Sequence, residues 1–188
     1  MKTLPSEQLY YFHDLLTCVM VAVCLLVSYA GYKIDNIQYK KYISITIVGF
    51  CLIQEFVDYL NRIFFDKLYE ISLSTDLPLQ FCNIGFYFSI IGIIMAFSTK
   101  KFNTKLEQFI FDCSYVLGFG GALQSLLNVD LTGINNIIGV FALNWAHSLI
   151  VLNVLWLIFA YNKRFNTRSI INAFIFINLI IIPVGLIN

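Results

Sequence analysis

Residues 136–161 read NIIGVFALNWAHSLIVLNVLWLIFAY, a run that contains no Asp, Glu, Lys or Arg. A helix needs about 20 mostly apolar residues to cross the hydrocarbon core of a bilayer. This run is long and apolar enough to do so, although it includes the polar residues Asn144 and His147. It therefore predicts a transmembrane helix that holds polar side chains at membrane depth.

The whole chain has the composition of a membrane protein. Of its 188 residues, 59% are hydrophobic and 12% are charged, and the mean hydropathy is +0.78. Soluble domains carry about 25% charged residues, and a chain of this length could not bury so much apolar surface in water. The net charge of +1 gives no reason to expect a nucleic-acid partner.

Five further apolar runs, separated by short polar connections, accompany this one. Together they predict a bundle of six transmembrane helices in one all-α domain that covers residues 1–188, with neighbouring helices antiparallel. The predicted spans are about 15–32, 42–60, 77–97, 106–127, 136–161 and 169–187.

Basic residues are unevenly divided between the two sides of such a bundle. The first, third and fifth connections carry nine Lys and Arg residues, whereas the other side carries only Lys2, Arg62 and Lys67. Short loops rich in Lys and Arg stay in the cytoplasm. The pattern predicts that the odd-numbered connections are cytoplasmic and that both termini are extracytoplasmic.

The five cysteines lie inside or at the ends of apolar runs, at positions 18, 24, 51, 82 and 113. Their odd number excludes a complete disulfide framework, and no CxxC or Cys/His spacing indicates zinc. Apart from Cys82, they are interpreted as small apolar fillers. No metal or cofactor is expected.

Polar side chains at membrane depth are the strongest indication of function. A charged group at the centre of a spanning helix costs about 2.5–3.5 kcal/mol on insertion scales. In the predicted orientation, polar and ionisable side chains lie in the outer half of the bilayer on the second to fifth helices. They are Glu55, Asp58, Gln80, Asn83, Gln124, Asn144 and His147. Asp112 is an exception near the inner end of the fourth helix. The first and sixth helices are predicted to serve packing or lipid contact.

Two interpretations of this polar cluster are open. Polar side chains join membrane helices by hydrogen bonds, which would account for an amide such as Gln80. Alternatively, Cys82 and His147 form a nucleophile and its base, because an imidazole can remove the proton of a neighbouring thiol. Glu55 or Asn144 would then orient the imidazole.

Several motifs occur in an order that resembles a known family. They are LPLQFCNI at 77–84, GFGGALQSLL at 118–127, Asp130-Leu131, Trp145-Ala146-His147 and the pair Gln54-Glu55. These motifs resemble those of the YwaF-type bacterial membrane proteins, relatives of human transmembrane protein 164, over roughly residues 50–160. Gln80 stands where the family pattern has a histidine.

The resemblance implies an integral membrane acyltransferase of the bacterial cell membrane that acts on phospholipid or lipid-linked acyl groups. It assigns the nucleophile to Cys82 and the helix-borne histidine to His147. In the mechanism expected, Cys82 forms a thioester in the outer half of the bilayer, and His147 acts as general base and then general acid. Asn83 and Gln124 are candidate donors to the oxyanion. The acceptor would be a lysophospholipid, a lipoprotein amine or water.

Non-enzymatic alternatives use the same polar groups. A small transporter or a lipid-binding protein would employ Glu55 and His147 as a proton relay or a ligand site. The sequence shows no inverted repeat, which counts mildly against a transporter. In an assembly subunit, the polar residues would only hold helices together.

Overall fold

The computed structural model describes residues 6–64, 81–98, 102–131, 134 and 136–187. These residues form helices joined by short connections, and no strand occurs among them, which confirms the predicted all-α class. The helical elements are α1 (Ser6–Lys33), α2 (Ile37–Phe64), α3 (Phe81–Phe97), α4 (Thr104–Cys113), a π-helical segment (Ser114–Phe119), α5 (Gly120–Leu127), α6 (Ile137–Tyr161) and α7 (Thr167–Ile187).

Helix length and composition identify an integral membrane protein. Four stretches are long and apolar enough to cross a bilayer, namely Glu7–Lys33, Ile37–Leu60, Thr104–Leu127 and Ile137–Tyr161. Two further apolar helices are shorter within the described residues, Phe81–Phe97 and Thr167–Ile182. Four of the six predicted spans therefore have the required length. The count of six and the location of the termini stay predictions.

The central element of the bundle is α6. It packs against α1, α2, α3, the π-helical segment and α5, and it buries Trp156 and Leu157 completely. The outer helices α1, α2 and α7 instead expose large apolar side chains, such as Leu26, Phe56 and Phe174. Such an exterior is stable where the surrounding solvent is lipid hydrocarbon rather than water.

Small residues allow α1 to run parallel to α6. The thiol of Cys24 donates to the carbonyl oxygen of Ser148 at 3.3 Å. Further along both helices, Gly31 lies so close to the ring of Trp156 that a Cβ atom would not fit. Because the residue numbers of the contacting pairs increase together along the two helices, the helices are parallel.

The two ends of the bundle differ in charge. At one end Lys40 Nζ donates to the carbonyl oxygen of Ala160 at 2.9 Å, and Lys163 Nζ lies 2.7 Å from Glu107 Oε2. These contacts bring together the connections before α2, before α4 and after α6, and we call this the basic end. The opposite end, where α3 begins and α5 ends, is called the Cys82 end.

Candidate functional site

A glycine crossing holds α3, the π-helical segment and α6 together. Gly85 of α3 lies directly against the backbone of Gly118, with no room for a Cβ atom at position 85. On its other side Gly118 faces α6, where an added Cβ would lie 2.9 Å from Ile150 Cγ2. Small residues permit such close approach of membrane helices, so this crossing sets the relative height of the three elements.

A π-helical segment forms one side of this crossing. Ser114–Phe119 interrupts the fourth predicted helix between α4 and α5. Short π-helical insertions widen a helical turn locally and are frequent at functional sites. Here the segment presents Gly118 to α3, and Gly121, three residues further on, also faces α3.

The thiol of Cys82 lies against Gly121. Cys82 is in the first turn of α3, three residues before Gly85, and its side chain is half-buried. A Cβ atom at Gly121 would lie 2.7 Å from Cys82 Sγ. The sulfur therefore occupies space that the absence of a side chain at position 121 leaves open.

The imidazole of His147 has a defined orientation. His147 Nδ1 lies 2.8 Å from the carbonyl oxygen of Leu143, one helical turn earlier in α6. A carbonyl oxygen only accepts hydrogen bonds, so Nδ1 carries the hydrogen and Nε2 of the neutral ring carries a lone pair. His147 therefore presents a nitrogen that can accept a proton.

Cys82 and His147 lie at the same level of the bundle. Cys82 precedes Gly85 by one turn, and His147 precedes Ile150 by one turn. Because α3 and α6 both run from the Cys82 end to the basic end, these side chains lie on the same side of the glycine crossing. No hydrogen bond between the two is found among the described residues.

The other predicted members of the cluster are divided between α2 and α3. Tyr87 donates its hydroxyl hydrogen to Glu55 Oε2 at 3.2 Å, which joins the two helices. Asp58, one turn further along α2, is half-buried, and so is Asn83, which follows the cysteine.

The structure shows which groups contact the side chains predicted to orient the imidazole or to donate to the oxyanion. The carbonyl of Leu143 orients the imidazole, while Glu55 is bonded to Tyr87 and Asn144 to α1. The side chain of Gln124 is exposed. Gln80 lies outside the described residues.

A chain of hydrogen-bonded polar side chains that starts on α1 was not predicted from the sequence. The sequence interpretation assigned this helix to packing or lipid contact. His13 is buried, with 1% of its side chain exposed. Thr17 Oγ1 lies 3.5 Å from His13 Nε2 and donates to Asn144 Oδ1 at 2.8 Å. The spacing of His13 and Thr17, four residues apart on one helical face, was the available signal.

Two polar atoms near this chain are buried without a hydrogen-bond partner among the described residues. They are Asn144 Nδ2 and Ser148 Oγ. A buried donor without a partner costs about 1–3 kcal/mol, so such atoms indicate a water molecule or a ligand group. Both are on α6, on either side of His147 in the sequence.

A second buried polar group, also missed, joins the helices closer to the middle of the bundle. Asn153 Nδ2 donates to Ser89 Oγ at 2.8 Å and lies 3.4 Å from Cys51 Sγ. All three side chains are completely buried, and they belong to α6, α3 and α2. This group agrees with the interpretation of polar residues as interhelical hydrogen-bonding elements.

Metal ligands do not gather in the part of the chain that the structure describes. Over those ranges no group of three or more His, Cys, Asp and Glu side chains could hold a metal ion.

Fold and site together define a helical membrane protein with a thiol and an imidazole at one level of its interior. A model of the TMEM164 family matches residues 5–188, and the chain belongs to this family. The resemblance to transmembrane protein 164 is thereby confirmed. No curated protein and no solved structure matches the chain.

Proposed function

We propose that this protein is an integral membrane acyltransferase that transfers acyl groups of phospholipids or lipid-linked donors through a thioester on Cys82. One observation carries the proposal. The thiol lies against Gly121 at the level of His147, and the hydrogen bond to Leu143 leaves His147 Nε2 able to accept a proton. Nucleophile and base of this kind are the groups that acyl transfer requires.

The first half of the reaction forms the thioester. His147 Nε2 takes the thiol proton, and the sulfur of Cys82 attacks the carbonyl carbon of an acyl ester. The bond between that carbon and the ester oxygen then breaks, and the leaving alkoxide takes the proton from the imidazolium. The products are a lysolipid and an acyl-cysteine.

The second half reverses the roles. His147 removes a proton from an acceptor hydroxyl, an acceptor amine or water, and the acceptor attacks the thioester carbonyl. The carbon–sulfur bond breaks, and the proton returns to the sulfur of Cys82. A lysophospholipid as acceptor would yield a remodelled phospholipid, an amine of a lipoprotein would yield an amide, and water would yield a fatty acid.

Asn144 is the best candidate for the oxyanion donor. Its side chain is fully buried, and its Oδ1 accepts a hydrogen bond from Thr17. Its Nδ2 hydrogens have no partner in the described part of the chain. Asn144 also lies three residues before His147, which places both on one face of α6. Asn83, beside the nucleophile, is a second donor, and the exposed Gln124 is less suited.

Trapping the thioester tests this proposal. Purified protein would be incubated with a phospholipid that carries a fluorescent acyl chain, and mass spectrometry would locate hydroxylamine-sensitive label. We expect label on Cys82, and we expect His147→Ala to remove it. Cys18→Ser, which alters an exposed cysteine elsewhere on α1, is the control and should label normally. Label that persists in His147→Ala, or that is spread over several cysteines, would overturn the proposal.

A proton-coupled transporter is the second candidate, because the buried His13 is linked at membrane depth through Thr17 to Asn144, which lies three residues before His147 on α6. Ionisable groups at that depth commonly form proton pathways. In this case Glu55→Gln would abolish pH-dependent flux in proteoliposomes, and Cys82→Ser would leave the flux unchanged. The acyltransferase proposal predicts instead that Cys82→Ser lowers activity more than Glu55→Gln does.

A further inference from the structure

A polar cavity lies at the basic end, far from Cys82. It is a half-open cavity between the first two turns of α4 and of α7 and has a volume of about 310 Å³. This volume is at the lower end of the range found for ligand pockets. The lining residues are Thr104, Lys105, Gln108, Phe109, Arg168 and Asn172.

Two cationic side chains line the cavity. Lys105 and Arg168 are both exposed, and neither forms an ion pair with a residue that the structure describes. Nearby Lys163 differs, because Glu107 neutralises it at 2.7 Å. Ammonium and guanidinium groups together are suited to bind the oxygens of a phosphate.

A buried carboxylate fixes the other polar groups of the cavity. Asp112, which the sequence set apart from the outer cluster, is completely buried between α4 and α7. Its Oδ1 accepts from Gln108 Nε2 at 2.7 Å, and its Oδ2 accepts from Asn172 Nδ2 at 2.8 Å. Gln108 Nε2 also donates to the carbonyl oxygen of Arg164 at 2.9 Å.

These bonds determine what the two amides can offer to a ligand. Both hydrogens of Gln108 Nε2 and one hydrogen of Asn172 Nδ2 are used within the protein, so the two carbonyl oxygens remain as hydrogen-bond acceptors and Asn172 keeps one N–H donor. The cavity thus combines cations with neutral acceptors. A matching ligand carries a phosphate and, beside it, a group with N–H or O–H hydrogens.

The surroundings of the cavity favour a membrane lipid over free phosphate. Both helices expose apolar side chains, Leu106 beside Lys105 on α4 and, on the other face of α7, Ile170 and Phe174. An acyl chain attached to a phosphate in the cavity could lie along α4 at Leu106. Lys and Arg near the ends of spanning helices commonly contact the headgroup region of the bilayer.

We propose that this cavity binds the headgroup of a phospholipid whose phosphodiester is linked to a hydrogen-bond donor, as in phosphatidylglycerol or phosphatidylethanolamine. Lys105 and Arg168 bind the phosphate, and Gln108 and Asn172 accept from the glycerol hydroxyl or the ammonium. Phosphatidylcholine lacks such hydrogens and binds more weakly. The site lies at the other end of α3 from Cys82, so the inference does not depend on acyl transfer.

A lipid in this position would stabilise the attachment of α7. Among the described elements, α7 packs mainly against α4, through Asp112–Asn172 and the ring contact Phe109–Phe176. A bound headgroup adds a second link between the two helices at their first turns. Binding to the folded protein alone raises its apparent stability by mass action.

Native mass spectrometry of the purified full chain tests the inference. Dioleoyl-phosphatidylglycerol, -phosphatidylethanolamine and -phosphatidylcholine would be added separately at equal concentration. We expect one tightly held molecule of the first two and about tenfold weaker binding of the third, which corresponds to ~1.4 kcal/mol. Lys105→Gln with Arg168→Gln should weaken the first two by a similar factor and lower the melting temperature measured with either lipid.

The matched control removes two other cations from the same end. Lys33→Gln with Lys41→Gln causes the same change in net charge and should retain the lipid. Equal loss of lipid binding in both double variants would show that general surface charge causes the binding and would overturn the proposed site. Equal binding of phosphatidylcholine would contradict the role of the amide oxygens. Displacement of the lipid by millimolar inorganic phosphate would identify free phosphate as the ligand and overturn the lipid assignment.

Discussion

At the scale of single residues, neighbours that lie far away in the sequence decide the chemistry of the candidate site. The sulfur of Cys82 lies against Gly121, and the amide of Asn144 is held by Thr17. Each contact leaves one reactive group available. The thiol of Cys82 fills the space left by the missing side chain of Gly121, and Asn144 Nδ2 is without a partner among the described residues. A change at either neighbour therefore alters reactivity without removing the reactive residue.

Substituting Gly121 by Ala should displace the thiol. The new Cβ would lie 2.7 Å from Cys82 Sγ, so the sulfur must rotate away from its position. We expect acyl transfer to fall about tenfold, equivalent to ~1.4 kcal/mol in the activation free energy. The rate of thioester formation, measured with a fluorescent phospholipid, gives the answer. Gly120→Ala is the control, because a Cβ there meets nothing within 4 Å, and its rate should not change.

Two buried asparagines on α6 should respond differently to Ala. Asn144→Ala removes the proposed oxyanion donor, which typically lowers kcat by about 10²–10³. Asn153→Ala instead removes an engaged amide and should mainly lower the melting temperature, since loss of a buried hydrogen bond costs about 1–3 kcal/mol. Kinetics and thermal unfolding of both variants are needed. A kcat for Asn144→Ala as high as that of Asn153→Ala would argue against the oxyanion role.

At the scale of helices, the glycine crossing determines which residues share a level. Gly85 and Gly118 let α3 and the π-helical segment approach until their backbones touch, and Ile150 of α6 fills the other side. Cys82 and His147 then fall one turn from the crossing, toward the same end. The crossing aligns the site because each of these residues lies at a fixed helical spacing from it.

Gly85→Ala should separate these elements. The added methyl group would overlap backbone atoms of Gly118, which cannot rotate away as a flexible side chain could. Overpacking of this kind costs about 1–3 kcal/mol. We expect a lower melting temperature together with loss of Cys82 labelling. Gly49→Ala, in open space on α2, should leave both unchanged. A fully stable and reactive Gly85→Ala variant would exclude the crossing as the determinant of the site.

At the scale of the molecule, polar groups occupy both ends of an apolar bundle. The Cys82 end holds the thiol, the imidazole and the buried chain from α1, and the basic end holds Asp112 and the cationic cavity. Large apolar side chains cover the outer helices. The two proposals assign a lipid headgroup to the basic end and acyl transfer to the Cys82 end.

Orientation in the membrane can be tested by labelling. Loops rich in Lys and Arg stay in the cytoplasm, so position 35 should be inside and position 128 outside. In intact bacterial cells, a membrane-impermeant maleimide should label Asn128→Cys, whereas Asp35→Cys should react only after permeabilisation. The protein without added cysteines supplies the background. The reverse labelling pattern would show that the predicted orientation in the membrane is inverted.

Much of the fold was predictable because apolar runs are local in the sequence. The run at 136–161 became α6 (Ile137–Tyr161) almost unchanged. The second predicted span began at 42, yet α2 begins at Ile37, because a helix continues past the hydrocarbon core into polar residues. The π-helical segment was not predicted, because glycines in this region are equally typical of an ordinary packed α-helix.

The candidate site was only partly predictable. Cys82 and His147 were selected by residue type and motif, but His13 was overlooked because the first predicted span began at position 15, whereas α1 begins at Ser6 and includes it. The partner of Asn144 was also unknown, since any helix of the bundle could have supplied it. Thr17, 127 residues away in the chain, supplies it in the structure.

By itself, the sequence determined that the chain is a helical membrane protein, which parts of it form the helices, and which residues are capable of chemistry. These properties follow from composition and short-range spacing. Tertiary structure alone decided that Cys82 lies against Gly121, that the carbonyl of Leu143 orients His147, and that a helix expected to be plain contributes His13. The physical reason is that packing in the bundle depends on which small residues let backbones meet, and that choice involves residues distant in the chain.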